Sequence, residues 1–140
     1  MSPDLEVRIT APSMNRDASR RIADSQWPSD ALPVSADDPV FSRWLRKNPS
    51  RGELFIGAHD ILDDAADWNA PRWLFEPAQL HRFIATLRHF MELMPEEFEL
   101  VASWANDELA REQPITRSEL MRIVSMNELG NAVLYRVSAR

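Results

Sequence analysis

Residues 77–94, PAQLHRFIATLRHFMELM, decide the fold of this chain because they contain its clearest apolar pattern. Apolar side chains recur there at the three- and four-residue spacing of one helix face. They are Leu80, Phe83, Ile84, Leu87, Phe90, Met91 and Met94. Pro77 suits the first position of a helix, and Pro95 stops the pattern. These residues predict an amphipathic helix that covers a sheet or another helix.

Segments on either side of this helix predict strands. Residues 98–104 alternate between apolar and polar side chains, which is the period of a strand with one partly solvated face. Residues 54–56 and 133–137 are short runs rich in β-forming residues. Residues 5–10 also alternate, and this pattern favours either a half-buried strand or an extended arm.

Further helices are predicted at residues 15–25, 39–45 and 116–129. The last of these begins with Thr116, which forms the sequence pattern of a capping box with the glutamate three residues later. Gly130 is expected at the C′ position of that helix, where a positive φ favours glycine. The predicted helices at 15–25 and 39–45 therefore precede the long helix, and the one at 116–129 follows it.

The residues at 28–38 and 106–114 are polar or proline-containing and are predicted to be loops. The full pattern predicts an α+β fold, a small single domain in which helices pack on a short, mostly antiparallel sheet. A length of 140 residues fits one domain. Because six of the ten prolines lie in residues 1–51, we expect residues 1–38 to form an irregular N-terminal arm, packed on a core domain of residues 39–140.

The charge of the chain is acidic and unevenly distributed. The net charge is −6, and residues 53–112 alone carry thirteen acidic residues and four arginines, a net charge of −9. Such a field repels nucleic acid and attracts basic partners. Acidic surfaces also keep proteins soluble, and this alternative needs no partner.

An acidic stripe and two tryptophans mark the predicted binding surface. Four aspartates between residues 60 and 67 have the spacing of one helix face, and because like charges at this spacing destabilise an isolated helix, the segment is either a helix with tertiary support or an irregular loop. Trp68 and Trp73 flank a short loop beside it. Aromatic side chains next to charges are typical of interface hot spots, although either ring alternatively fills the core. The candidate partner-binding residues are Asp60, Asp63, Asp64, Asp67, Trp68, Trp73, Glu96 and Glu99.

The sequence contains few residues with recognisable chemistry. It has no cysteine, and its three glycines form no phosphate-binding loop. His81 and His89 are eight residues apart, which separates them by about 12 Å along a helix, too far to share one metal ion. We therefore expect no catalytic residue, no metal and no cofactor, and an enzyme of unrecognised type stays a minor alternative.

The N-terminus has no signal-peptide pattern, and no apolar run reaches the roughly 18 residues of a membrane span. We therefore expect a cytoplasmic protein that binds neither a membrane nor nucleic acid. Fifteen arginines to one lysine are typical of a GC-rich bacterial genome. The leading hypothesis is an acidic bacterial immunity protein, which neutralises a basic toxin domain by direct binding. A secretion adaptor or chaperone is the main alternative, followed by a regulator or phage-type inhibitor.

Overall fold

The computed structural model describes residues 5–36, 52–57, 71–104, 109 and 111–140. Within these residues it shows the predicted α+β fold, in which helices pack on a mostly antiparallel sheet. The predicted helix at 39–45 and the predicted boundary at residue 38 both lie outside the described residues.

The sheet has six strands within the described part of the chain. They are β1 (Leu5–Thr10), β2 (Val34–Ser35), β3 (Glu53–Ile56), β4 (Phe98–Trp104), β5 (Arg111–Ile115) and β6 (Val133–Val137). Their spatial order is β2-β3-β1-β4-β6-β5, and neighbours are antiparallel except for the parallel pair β5 and β6. Because β1 pairs with β3 on one side and β4 on the other, residues 5–10 form a strand rather than an extended arm.

The described helices are α1 (Arg16–Ala23), α2 (Pro77–Leu93) and α3 (Arg117–Ser125). The side chain of Asn15 caps α1 by accepting the Ala18 N–H at 2.8 Å. The hydroxyl of Thr116 caps α3 by accepting the N–H three residues later at 3.1 Å, as the sequence predicts. Each of these predicted helices is therefore confirmed, with ends within a few residues of the expected positions.

The core lies between one face of the sheet and the three described helices, whose apolar side chains form a single cluster. The predicted face of α2 lies in this cluster, with Phe83, Leu87 and Phe90 fully buried. The ring of Phe90 meets Phe98 at the start of β4 edge-on, with 4.9 Å between the ring centroids. This contact confirms that α2 covers the sheet.

Two of the predicted loops contain strands instead. Most of β5 falls in the stretch predicted as a loop at residues 106–114, and β2 falls in the one at residues 28–38. β5 is an edge strand, where Pro114 is tolerated because only one side of the strand has a neighbour. The polar side chains of β5 gave no alternating apolar pattern, so the pairing with β6 was missed.

The end of α3 also differs from the prediction. The residue with positive φ is Asn127, at 58°, and Gly130 does not have this conformation. Gly130 is required by lack of space, because a Cβ there would lie 2.7 Å from the hydroxyl oxygen of Tyr135. That hydroxyl accepts the Gly130 N–H at 2.8 Å, so the backbone must approach it closely.

Arg117 connects three segments of the chain at the start of α3. Its guanidinium donates hydrogen bonds to the backbone carbonyl oxygens of Met91, Glu96 and Ser138. It also lies over the ring of Phe98, 5.2 Å from the ring centroid. Arg117 therefore holds the end of α2, the approach to β4 and the C-terminal residues together.

Replacing Arg117 by methionine should lower the free energy of unfolding by about 1–3 kcal/mol, since three carbonyl oxygens lose a charged donor. Methionine keeps an apolar stem over Phe98, so the change reports mainly on the hydrogen bonds. Urea unfolding measures the loss, and Arg117→Lys should recover only part of it, because an ammonium group lacks the planar fork. A loss below about 0.5 kcal/mol would mean that water replaces the guanidinium without cost.

Candidate binding site

Most of the predicted binding surface falls in a part of the chain about which the structure gives no description. Asp60, Asp63, Asp64, Asp67 and Trp68 all lie outside the described residues. Their role in binding stays a prediction. Of the candidate set, the structure describes Trp73, Glu96 and Glu99.

Trp73 lies in the core, which is one of the two alternatives that the sequence left open. Its side chain is 1% exposed, and its indole N–H donates to the carbonyl oxygen of Ala102 in β4 at 3.0 Å. Its backbone N–H donates to Leu129 at 2.8 Å, so the segment before α2 is fastened to the segment after α3. Trp73 is therefore a core residue and has no surface with which to contact a partner.

Glu96 is exposed just before β4, next to Arg117. Burial is the main cause that lowers the pKa of Arg117 below its ordinary value; Arg140 lowers it further, and the nearby charge of Glu96 opposes both. The charge of Glu96 is therefore partly offset by an arginine of the fold. This pairing makes Glu96 a weaker source of attraction for a partner than its exposure suggests.

Glu99 belongs to a row of side chains that crosses the sheet on the face opposite the helices. In register, it lies beside Thr10 of β1 on one side and Arg136 of β6 on the other. Residues directly opposite on neighbouring strands have Cβ atoms about 5 Å apart, so the carboxylate and the guanidinium are within reach of each other. Arg136 also pairs with Glu112 of β5, with 2.9 Å between Nη2 and Oε2.

A cleft of about 310 Å³ opens where this row reaches the end of the sheet. At this end β1, β5 and β6 finish and β4 begins. The lining residues are Pro12, Glu97, Phe98, Glu99, Pro114, Arg136, Val137 and Ser138. Phe98 and Val137 are buried core residues, whereas Glu97 and Arg136 are exposed. Because the side chains of Phe98 and Val137 lie in the core, the apolar surface of the lining comes from exposed residues such as Pro12 and Pro114, and charged groups lie beside them.

The charges at this cleft are mainly negative. Glu97 and Glu99 line it, and Glu112 is held beside it through its ion pair with Arg136. Among the lining residues, Glu97 and Glu99 outnumber Arg136, which leaves a small excess of negative charge. Arg117 lies nearby through its hydrogen bond to the carbonyl oxygen of Ser138. The alternation of the sequence predicts that Glu97 and Glu99 lie on one face, but it assigns no binding role to Glu97 or Arg136. These residues come together only through the register between β4 and β6, which the sequence alone does not show.

The described residues also bear on membrane and metal sites. In the ranges that the structure describes, no helix is long and apolar enough to cross a membrane. Within the same ranges, no three His, Asp or Glu side chains are grouped closely enough to hold a metal ion. Comparison of the chain with protein-family models, curated proteins and solved structures gives no match.

Proposed function

We propose that this chain is a bacterial protein-binding module of the immunity type, which acts in the cytoplasm by binding and neutralising a basic toxin domain. The observation that supports this function best is the excess of carboxylates at the cleft, which Glu97 and Glu99 line together with Arg136, while Glu112 pairs with that arginine. A basic protein surface complements such a site, whereas the phosphate backbone of nucleic acid is repelled by it.

The charge of the whole chain supports the same partner. The net charge is −6, so the long-range field attracts a basic protein before any contact forms. Electrostatic steering of this kind raises the rate of association. Added salt reduces this effect, because the Debye length falls from about 30 Å at 0.01 M to about 8 Å at 0.15 M. Salt dependence of the association rate is therefore the kinetic property to measure.

The functional test is co-expression with the product of the gene directly upstream. If the proposal holds, that product alone stops bacterial growth, and this chain restores it. The purified pair should form a complex whose association slows several-fold between low and physiological salt. If the upstream product is harmless, or if it binds equally fast at both salt concentrations, the immunity role driven by the acidic surface is contradicted.

Matched charge variants locate the attraction on the protein. Glu97→Gln combined with Glu99→Gln should slow association with the toxin several-fold at low salt, since two charges at the cleft are removed. Glu76→Gln combined with Glu128→Gln removes the same charge from exposed positions away from the cleft, where Glu76 precedes α2 and Glu128 follows α3 and pairs with Arg72 at 3.6 Å. We expect this control pair to slow association less. Equal effects of the two pairs would mean that only net charge matters and that the cleft has no particular role.

A further inference from the structure

We propose that the cleft at the end of the sheet receives one arginine side chain of the basic partner. This inference rests on the proposed function, because it names the group on the partner that the acidic site binds. The site combines three features that a long cationic side chain requires: a confined volume, a partly apolar lining and carboxylates at the surface.

The cleft is large enough to hold one long side chain. Its volume of about 310 Å³ is at the lower end of the range of about 300–1,000 Å³ that is typical of small-molecule sites. It opens at the surface, where a side chain can enter from a docked protein. Pro12 and Pro114 are exposed on the lining, and the apolar surface of their rings suits the methylene stem of arginine or lysine, whose charged head stays near water.

The carboxylates favour arginine over lysine. Glu97 immediately precedes β4 and Glu99 is the second residue of this strand, so their backbone positions are at most about 7 Å apart, and both side chains line the cleft. A planar guanidinium presents several N–H donors in fixed directions and pairs with carboxylates in a bidentate manner. It is also less strongly hydrated than an ammonium group, and therefore loses less on entering a partly apolar cleft.

Arg136 shows that this site already accommodates a guanidinium among carboxylates. It pairs with Glu112 at 2.9 Å and lies opposite Glu99 in the register of β4 and β6. An arginine of the partner would share the same carboxylates, so Arg136 acts as an internal competitor. Removing the charge of Arg136 should therefore strengthen the binding of an external guanidinium, which is the opposite of what damage to the fold would do.

The test uses Nα-acetyl-arginine amide as the probe, titrated into the full-length chain at low salt and followed by the amide resonances in NMR spectra. We expect shifts concentrated at residues 97–99 and 136–138, larger with this probe than with the matching lysine derivative. The neutral Nα-acetyl-glutamine amide should cause no shifts there. Shifts that are absent, scattered over the surface or equal with the neutral probe would overturn the proposal.

Three variants test the direction in which the affinity for the probe changes. Glu97→Gln combined with Glu99→Gln should weaken binding of the probe about two- to fivefold, the range expected for exposed ion pairs. Arg136→Gln should strengthen it, and Glu76→Gln should leave it unchanged, because Glu76 precedes a helix of 17 residues that ends near β4 and spans about 25 Å. Weaker binding in Arg136→Gln, or unchanged binding in the double variant, would overturn the proposal.

This probe also separates the two proposals from each other. In one outcome, the probe does not bind, and the wild-type chain and the variant with both Glu97→Gln and Glu99→Gln neutralise the toxin equally well. That result would contradict the arginine site and leave the proposed function intact. Specific binding of the probe without neutralisation of the upstream product would contradict the proposed function and leave a guanidinium-binding cleft.

Discussion

Trp73→Ala should lower the free energy of unfolding by about 3–5 kcal/mol, the usual cost of deleting a buried tryptophan. The ring is 1% exposed, and it lies in the core cluster between the helices and the sheet. Its removal leaves a large cavity and also deletes the indole donor to Ala102. Urea unfolding measures the effect, and binding of the toxin by the folded fraction should be unchanged, because Trp73 presents no surface.

Trp73→Phe provides the control for this variant. Phenylalanine retains most of the apolar volume and loses the indole N–H, while the carbonyl oxygen of Ala102 keeps its bond from Ala132 at 2.9 Å. We therefore expect a loss of about 1–2 kcal/mol, clearly smaller than that of alanine. A loss below about 1 kcal/mol in Trp73→Ala, or a loss of binding at full stability, would place the ring at an interface instead.

The parts of the fold that the sequence predicts are those with a strong local pattern. The apolar repeat of α2 is uninterrupted between two prolines, so the predicted helix at 77–94 agrees with Pro77–Leu93. β5 has no such repeat, because it is a polar edge strand whose place depends on its parallel pairing with β6. A two-residue strand such as β2 is too short to show any period. Both β2 and β5 form because they pair with strands that are distant in the chain, and the local pattern of a single sequence does not show such pairing.

The candidate site was predictable only in part for the same reason. The alternating pattern of the sequence predicts that Glu97 and Glu99 lie on one face, and this follows from neighbouring residues alone. Their association with Arg136 depends on the register of two strands that are far apart in the chain. Trp73 lies in a segment with no regular pattern, so its burial follows from contacts with β4 and with the residues after α3. Local patterns thus identified the two glutamates, and tertiary contacts identified the cleft that they line.

Leu87→Ala should lower the free energy of unfolding by about 2–5 kcal/mol, the range found for buried leucines. Leu87 is 0% exposed at the centre of the apolar face of α2, where it belongs to the same cluster as side chains from the sheet and from α3. Alanine favours the helix, so the loss reflects lost burial and the cavity rather than helix propensity. Leu87→Met, which nearly conserves volume, should cost less than about 1.5 kcal/mol.

Arg88→Ala is the matched control for Leu87→Ala, because Arg88 is the next residue of the same helix and is exposed. It should change the free energy of unfolding by no more than about 0.5 kcal/mol, as surface substitutions usually do. The difference between the two adjacent variants then isolates the contribution of the buried face from that of the helix itself. A loss of less than about 1 kcal/mol in the free energy of unfolding of Leu87→Ala would mean that the apolar face of α2 does not support the sheet. Arg117 and the neighbouring strands would then have to hold the end of β4 that carries the cleft.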